Sequence, residues 1–195
     1  MSSLPFDQDN FPEASIKGLK IPHGGFWLFA YGSLMWDADF RYTERKRAVL
    51  TGYHRSLCVY SWRYRGTIEK PGLVFGLDRG GMTQGIAYRI GARFARRTFE
   101  ELFKREMPTK VYRPSWVPIR LLDGRIRRAT ALAFVADNAN PQYTGRLTDH
   151  QATELIRQGH GMNGPCCDYI TNTVAALRRE GIRDLKLERI AKKLD

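Results

Sequence analysis

Cysteine is scarce in this chain of 195 residues: Cys58, Cys166 and Cys167 are the full complement. Adjacent cysteines rarely pair with each other, and no C-x-x-C spacing occurs. Neither a disulfide framework nor a zinc or dithiol centre is expected, and reduced thiols in a cytoplasmic protein are the expected state. Long apolar runs are missing too. No stretch of eighteen apolar residues exists, so no membrane-spanning helix is expected. The first twenty residues, "MSSLPFDQDNFPEASIKGLK", lack a basic start and an apolar h-region, which argues against a secretory leader. There is no P-loop, no H-E-x-x-H and no G-x-S-x-G, and therefore no motif for nucleotide, zinc-hydrolase or serine-hydrolase chemistry. Acidic residues are outnumbered: 20 Asp and Glu stand against 32 Lys and Arg, a formal net charge of +12. That surplus attracts nucleic acid or a small anionic substrate. Because the basic residues are spread along the chain with no Lys/Arg block, a solvated basic surface explains them equally well.

What the chain does contain is a core. Hydrophobic residues make up 43% and aromatics 12%, too much for a disordered polymer. We expect a partly ordered arm over 1–22, pinned by Phe6 and Phe11, and a single domain over 23–195. No repeat or linker divides the chain. Strand-like runs fill the first two thirds: Phe26–Tyr31, Ala48–Trp62, Gly72–Leu77, Thr83–Ile90, Val117–Leu122 and Ile126–Val135. Asp123-Gly124 signals a hairpin, and Gly80-Gly81 reads as a turn between another strand pair. Pro114 and Pro118 put their strand at an edge or a bulge, since proline has no ladder donor. Helices are expected near Arg93–Met107, at Asp149–Gln158 behind a Thr148/Gln151 capping box, at Cys166–Arg179 and near Asp184–Lys193. Many strands, few helices and no βαβ rhythm give an α+β class with a mixed or closed, mostly antiparallel sheet.

Two local features invite chemistry. On a helical wheel with Ala95 at zero, Phe99, Leu102 and Phe103 fall at about 40°, 340° and 80°, and Glu106 at about 20°. Glu106 therefore lies inside the apolar stripe, whereas Glu100 and Glu101 point elsewhere. A carboxylate there must be paired, by Arg105, Lys110 or Arg113, or must take on a raised pKa suited to a general base. The helix leaves both open. In "GFWLFAYGSLMW" the strand stops at Gly32-Ser33 and returns at once to large hydrophobes. Successive N–H groups there form either an anion-binding nest or a simple bulge.

Taken together the blocks are more specific. "YGSLMW", "GYHRSLCVYSWRYRGTIEKPGLVFGLDRGG", "GIAYRI", "REM" before "VYRPSWVPIRL", "NPQYTGRL" and "GMNGPCCDYITNTVAAL", in that order, resemble the ChaC-like γ-glutamylcyclotransferases. The resemblance implies a small mixed β-barrel flanked by helices. It also implies cleavage of reduced glutathione into 5-oxoproline and cysteinylglycine. By that resemblance Tyr31, Gly32, Ser33 and Leu34 form the loop that cradles the γ-glutamyl group, and Glu106 is the catalytic glutamate. Tyr112, Tyr143 and Arg63 are further candidates for substrate binding, with Arg65 and Tyr169 behind them. Cys166-Cys167 departs from the more polar residues expected in that block. No metal or cofactor is implied, and the expected partner is a small molecule. Three rivals remain: a cyclotransferase for other γ-glutamyl amines, a basic nucleic-acid-binding module, and a cysteine hydrolase.

Overall fold

In a computed structural model, residues 19–122, 124 and 126–194 are described. The expected arm, with Phe6 and Phe11, lies largely outside them, as does Asp123. The apolar run from Phe26 becomes strand β1 (Gly25–Ala30), buried on both faces. Its inner face meets the barrel core, and on its outer face Phe26 meets Phe99 edge-on at 6.0 Å. Burial on two sides explains why the run is continuous rather than alternating.

Strands β2 (Glu44–Ser61) and β3 (Gly72–Gly91) form one long antiparallel ribbon. Here the structure corrects the sequence reading. Gly80-Gly81 does not reverse the chain, and the two segments expected on either side are one strand. Thr51 pairs with Met82 and Tyr53 with Arg79, so Gly80 and Gly81 stand against Gly52 alone. All three glycines have positive φ, the geometry of a bulge that bends a ribbon without ending it.

The helix α1 (Ala92–Glu106) follows, then the hairpin of β4 (Tyr112–Leu122) and β5 (Ile126–Ala136). β4 and β5 pair antiparallel up to Leu122 opposite Ile126, on either side of the expected turn, whose Asp123 lies outside the described residues. β4 meets β2 only through Ile119–Leu122. Pro114 and Pro118 therefore fall where β4 is paired on one side only, as proline requires. The barrel runs in the order β1, β3, β2, β4, β5 and closes through parallel contact between β5 and β1, with Trp27 opposite Ala131 and Leu28 opposite Leu132. It is an α+β fold with a closed mixed barrel.

The helices α2 (Asp149–Gln158), α3 (Cys166–Arg179) and α4 (Leu185–Ala191) follow, with a two-residue hairpin of β6 (His160–Gly161) and β7 (Gly164–Pro165) between α2 and α3. The Thr148/Gln151 capping box forms as expected. Among the described residues no helix is long and apolar enough to cross a membrane.

Gly85 marks a close approach between β3 and β1. A Cβ there would stand 2.3 Å from the Ala30 carbonyl oxygen, just before the Tyr31–Leu34 loop. Overpacking of this kind costs about 1–3 kcal/mol. Gly85→Ala is therefore expected to lower the melting temperature by roughly 3–10 °C, read by circular dichroism.

Candidate active site

Glu106 is the last residue of α1. Its stripe-mates Ala95, Phe99, Leu102 and Phe103 are buried, and Phe103 packs against Phe134 of β5 at 6.0 Å. This packing carries the Glu106 carboxylate into the wall of a cavity of about 360 Å³. Only 17% of its side-chain surface is exposed. Burial pushes its pKa above the ordinary carboxylate value, Asp37 adds to the rise, and Arg105 opposes it.

The loop after β1 supplies a second wall. A short 3-10 turn over Ser33–Met35 buries Leu34 and Met35, which anchor the loop to the core. The N–H groups of Gly32, Ser33 and Leu34 donate to no acceptor among the described residues. Gly32 is small for a reason of space: a Cβ would come within 3.1 Å of the Tyr169 hydroxyl. Tyr31 donates its hydroxyl to the Phe134 carbonyl at 2.6 Å, and Tyr112 donates to the Phe75 carbonyl at 2.7 Å. Both phenols sit well above their ordinary pKa, through burial first and with Glu106 contributing. They are neutral donors rather than bases.

The cavity gathers Tyr31, Gly32, Ser33, Leu34, Arg63, Glu106 and Tyr112 from the sequence candidates, together with Arg65 and Tyr169. Tyr143 does not line it. Its hydroxyl donates to Asp78 at 2.8 Å, and its backbone bridges Val59. Its neighbour Gln142 lines the cavity instead, with Nε2 donating to the Tyr60 carbonyl at 2.7 Å. Arg65 is committed elsewhere, donating to the Asn163 and Pro165 carbonyls at 2.6 and 3.1 Å. Tyr169 accepts from the Phe75 N–H at 3.2 Å and packs on Phe75 and Trp36.

Neither Cys166 nor Cys167 lines the cavity. Cys166 is bonded in both directions to Leu73: the Leu73 N–H donates to its Sγ at 3.3 Å, and its thiol donates to the Leu73 carbonyl at 3.1 Å. Burial raises that thiol to about 11, the opposite of an activated nucleophile.

One residue that sequence reading missed is Arg55, whose side chain is 3% exposed. It donates to the Tyr31 carbonyl at 2.6 Å, to the Gln84 carbonyl at 2.6 Å and to Asp184 at 3.0 Å. Its partners are distant in the chain, so no local pattern announces it.

The model of the ChaC-like proteins matches residues 26–195. The chain belongs to the ChaC-like family. This ChaC-like protein is 34% identical over 171 residues to the glutathione-specific gamma-glutamylcyclotransferase of Escherichia coli K12, covering 88% of this chain and 73% of that one. It is 29% identical over 168 residues to the human glutathione-specific gamma-glutamylcyclotransferase 1, covering 85% and 76%. Its fold superposes on the crystal structure of a yeast gamma-glutamyl cyclotransferase specific to glutathione with a TM-score of 0.82. The identity there is 21%, over 88% of this chain and 96% of that one.

Replacing Arg55 takes a buried cation away from the half-buried Asp184 carboxylate and from the Tyr31 and Gln84 carbonyls. Hydrogen bonds to charged groups contribute about 1.5–3 kcal/mol, so Arg55→Met is expected to melt below the parent. Because Arg55 holds the Tyr31 carbonyl, catalysis should also fall at temperatures where the variant remains folded, measured by turnover alongside circular dichroism.

Proposed function

We propose that this ChaC-like protein cleaves the γ-glutamyl amide of reduced glutathione, releasing 5-oxoproline and cysteinylglycine, with Glu106 as general base. The observation that carries the reading is a carboxylate of raised pKa in the wall of a cavity that is also lined by Gly32, Ser33 and Leu34, whose N–H groups have no acceptor among the described residues. The names of the relatives support the substrate.

The substrate contains its own nucleophile. The α-amine of the glutamyl group closes a five-membered ring on the γ-carbonyl carbon. Well-oriented intramolecular attack is worth effective molarities of roughly 10⁵–10⁸ M, so the protein has chiefly to fold the substrate. Ammonium cannot attack; Glu106 takes one proton from it, and the freed amine adds to the carbonyl. N–H groups of Gly32, Ser33 and Leu34 position the group and receive the developing oxyanion. As the oxyanion re-forms a carbonyl, the carbon–nitrogen bond of the amide breaks and Glu106 returns its proton to the departing nitrogen. The ring nitrogen then loses its second proton through Glu106 to the freed amine, which leaves as its ammonium. The free thiols of the chain and the thiol of the substrate fit a reducing, cytoplasmic setting.

The second reading keeps the reaction and changes the leaving group to another γ-glutamyl amine. Arg63 separates the two. It lines the cavity, and its guanidinium contacts only Met162 Sδ, at 3.3 Å, and the Tyr64 ring among the described residues. It is thus available to the terminal carboxylate of the leaving dipeptide.

Glu106→Gln should reduce 5-oxoproline release from glutathione by about 10²–10⁴-fold. The folded pKa of Glu106 lies above its unfolded value, so its contribution to stability is lost as pH rises through that folded pKa. Above that folded pKa the buried carboxylate penalises the fold, and the glutamine variant should melt no lower than the parent there. Full activity in this variant overturns the base; a parent that spares glutathione but cleaves other γ-glutamyl amides selects the second reading. Arg63→Gln should lower kcat/KM for glutathione about 10–100-fold, the loss of one charge-assisted hydrogen bond. It should leave kcat/KM for the glycyl ethyl ester of glutathione unchanged.

A further inference from the structure

Arg105 and Glu106 are adjacent on α1, where successive side chains normally diverge by about 100°. Here the Arg105 stem turns so that its Nε lies 3.2 Å from Glu106 Oε1. The other two nitrogens of the same guanidinium reach the loop. Nη1 donates to the Asp37 carbonyl at 2.8 Å, and Nη2 stands 2.9 Å from Asp37 Oδ2 and 3.4 Å from Ser33 Oγ. One rigid fork therefore joins the base to the loop at two residues.

We propose that Arg105 and Asp37 act as an opposed pair of positioning residues, which hold the Glu106 carboxylate against the Tyr31–Leu34 loop and together set the pH above which it accepts the substrate's proton. The inference rests on Glu106 being the base. Arg105 stays charged throughout the working range and favours the ionised carboxylate. Asp37 disfavours it, and by pairing with Arg105 it also holds the cation partly away from Glu106. The two neighbours pull in opposite directions, as the shifts at Glu106 reflect. The other groups facing Glu106 stay fixed in charge. The hydroxyls of Tyr31, Tyr112 and Tyr169 all have raised pKa values and remain neutral, and Arg63 and Arg65 line the same cavity as permanent cations. Asp37, with 52% of its side chain exposed, is the member open to solvent and salt.

The two charges can be removed separately. Arg105→Gln should move the acid limb of the kcat/KM profile for glutathione to higher pH, so its deficit is larger at pH 6 than at pH 8. Asp37→Asn should move the same limb to lower pH. Arg105→Lys keeps the charge and loses the fork; its limb should stay near that of the parent while kcat falls. A purely structural link predicts lower activity in all three with no opposite displacement. Carbon-13 NMR titration of glutamate-labelled protein, with the Glu106 signal assigned through Glu106→Gln, reads the same shifts without turnover and serves any variant too slow to assay. Opposite displacements in the Gln and Asn variants uphold the pair. Displacements in one direction, or none, overturn it. Retained activity in Glu106→Gln would instead remove the base itself, while the titration would still decide whether the pair governs that carboxylate.

Discussion

Glu106 shares its helical stripe with Ala95, Phe99, Leu102 and Phe103, and the burial that stabilises those four penalises its charge. Much of the surrounding structure supports that arrangement. The barrel must close so that β1 and β5 offer Phe26 and Phe134 to α1, and α1 must lie flat on them for its last residue to reach the cavity. A carboxylate in such surroundings costs several kcal/mol unless it is paired or protonated. The protein uses an intermediate solution: one guanidinium beside the carboxylate, itself shared with a second acid.

The loop that faces this carboxylate is held from behind. Arg55 grips the Tyr31 carbonyl, the Tyr31 hydroxyl is tied to Phe134, and Tyr169 fills the space that a side chain at position 32 would need. With these groups engaged, the N–H groups of Gly32, Ser33 and Leu34 have no acceptor among the described residues. The strand breaks for two small residues because the backbone itself has to serve as the contact surface. Large residues return at Leu34 and Met35 because that surface must not move.

Part of the positive charge also acquires a local meaning. Arg55, Arg65 and Arg105 point their guanidiniums at backbone carbonyls and acids around the cavity. Others form exposed pairs along α1, such as Arg96 with Glu100 and Arg97 with Glu101, and such pairs contribute little.

Helices, caps and most strand positions were legible because they depend on neighbours three or four residues away, or on alternation. The capping box at Thr148 and the place of Glu106 on its stripe are of this kind. The glycine pair at 80 and 81 was misread because positive φ serves a turn and a bulge alike, and only the partner strand, with Gly52 opposite, distinguishes them. Tyr143 and Gln142 illustrate the same limit: one residue decides which side chain faces the cavity, and the β-bridge to Val59 decides it. The sequence alone determined that a carboxylate would have to be accommodated in an apolar face and that a strand would stop at Gly32-Ser33, since both follow from local periodicity and residue size. Only the tertiary structure decided that the two meet, that Arg105 joins them and that Arg55 holds the loop, because hydrogen bonds between residues far apart in the chain leave no local periodicity to read.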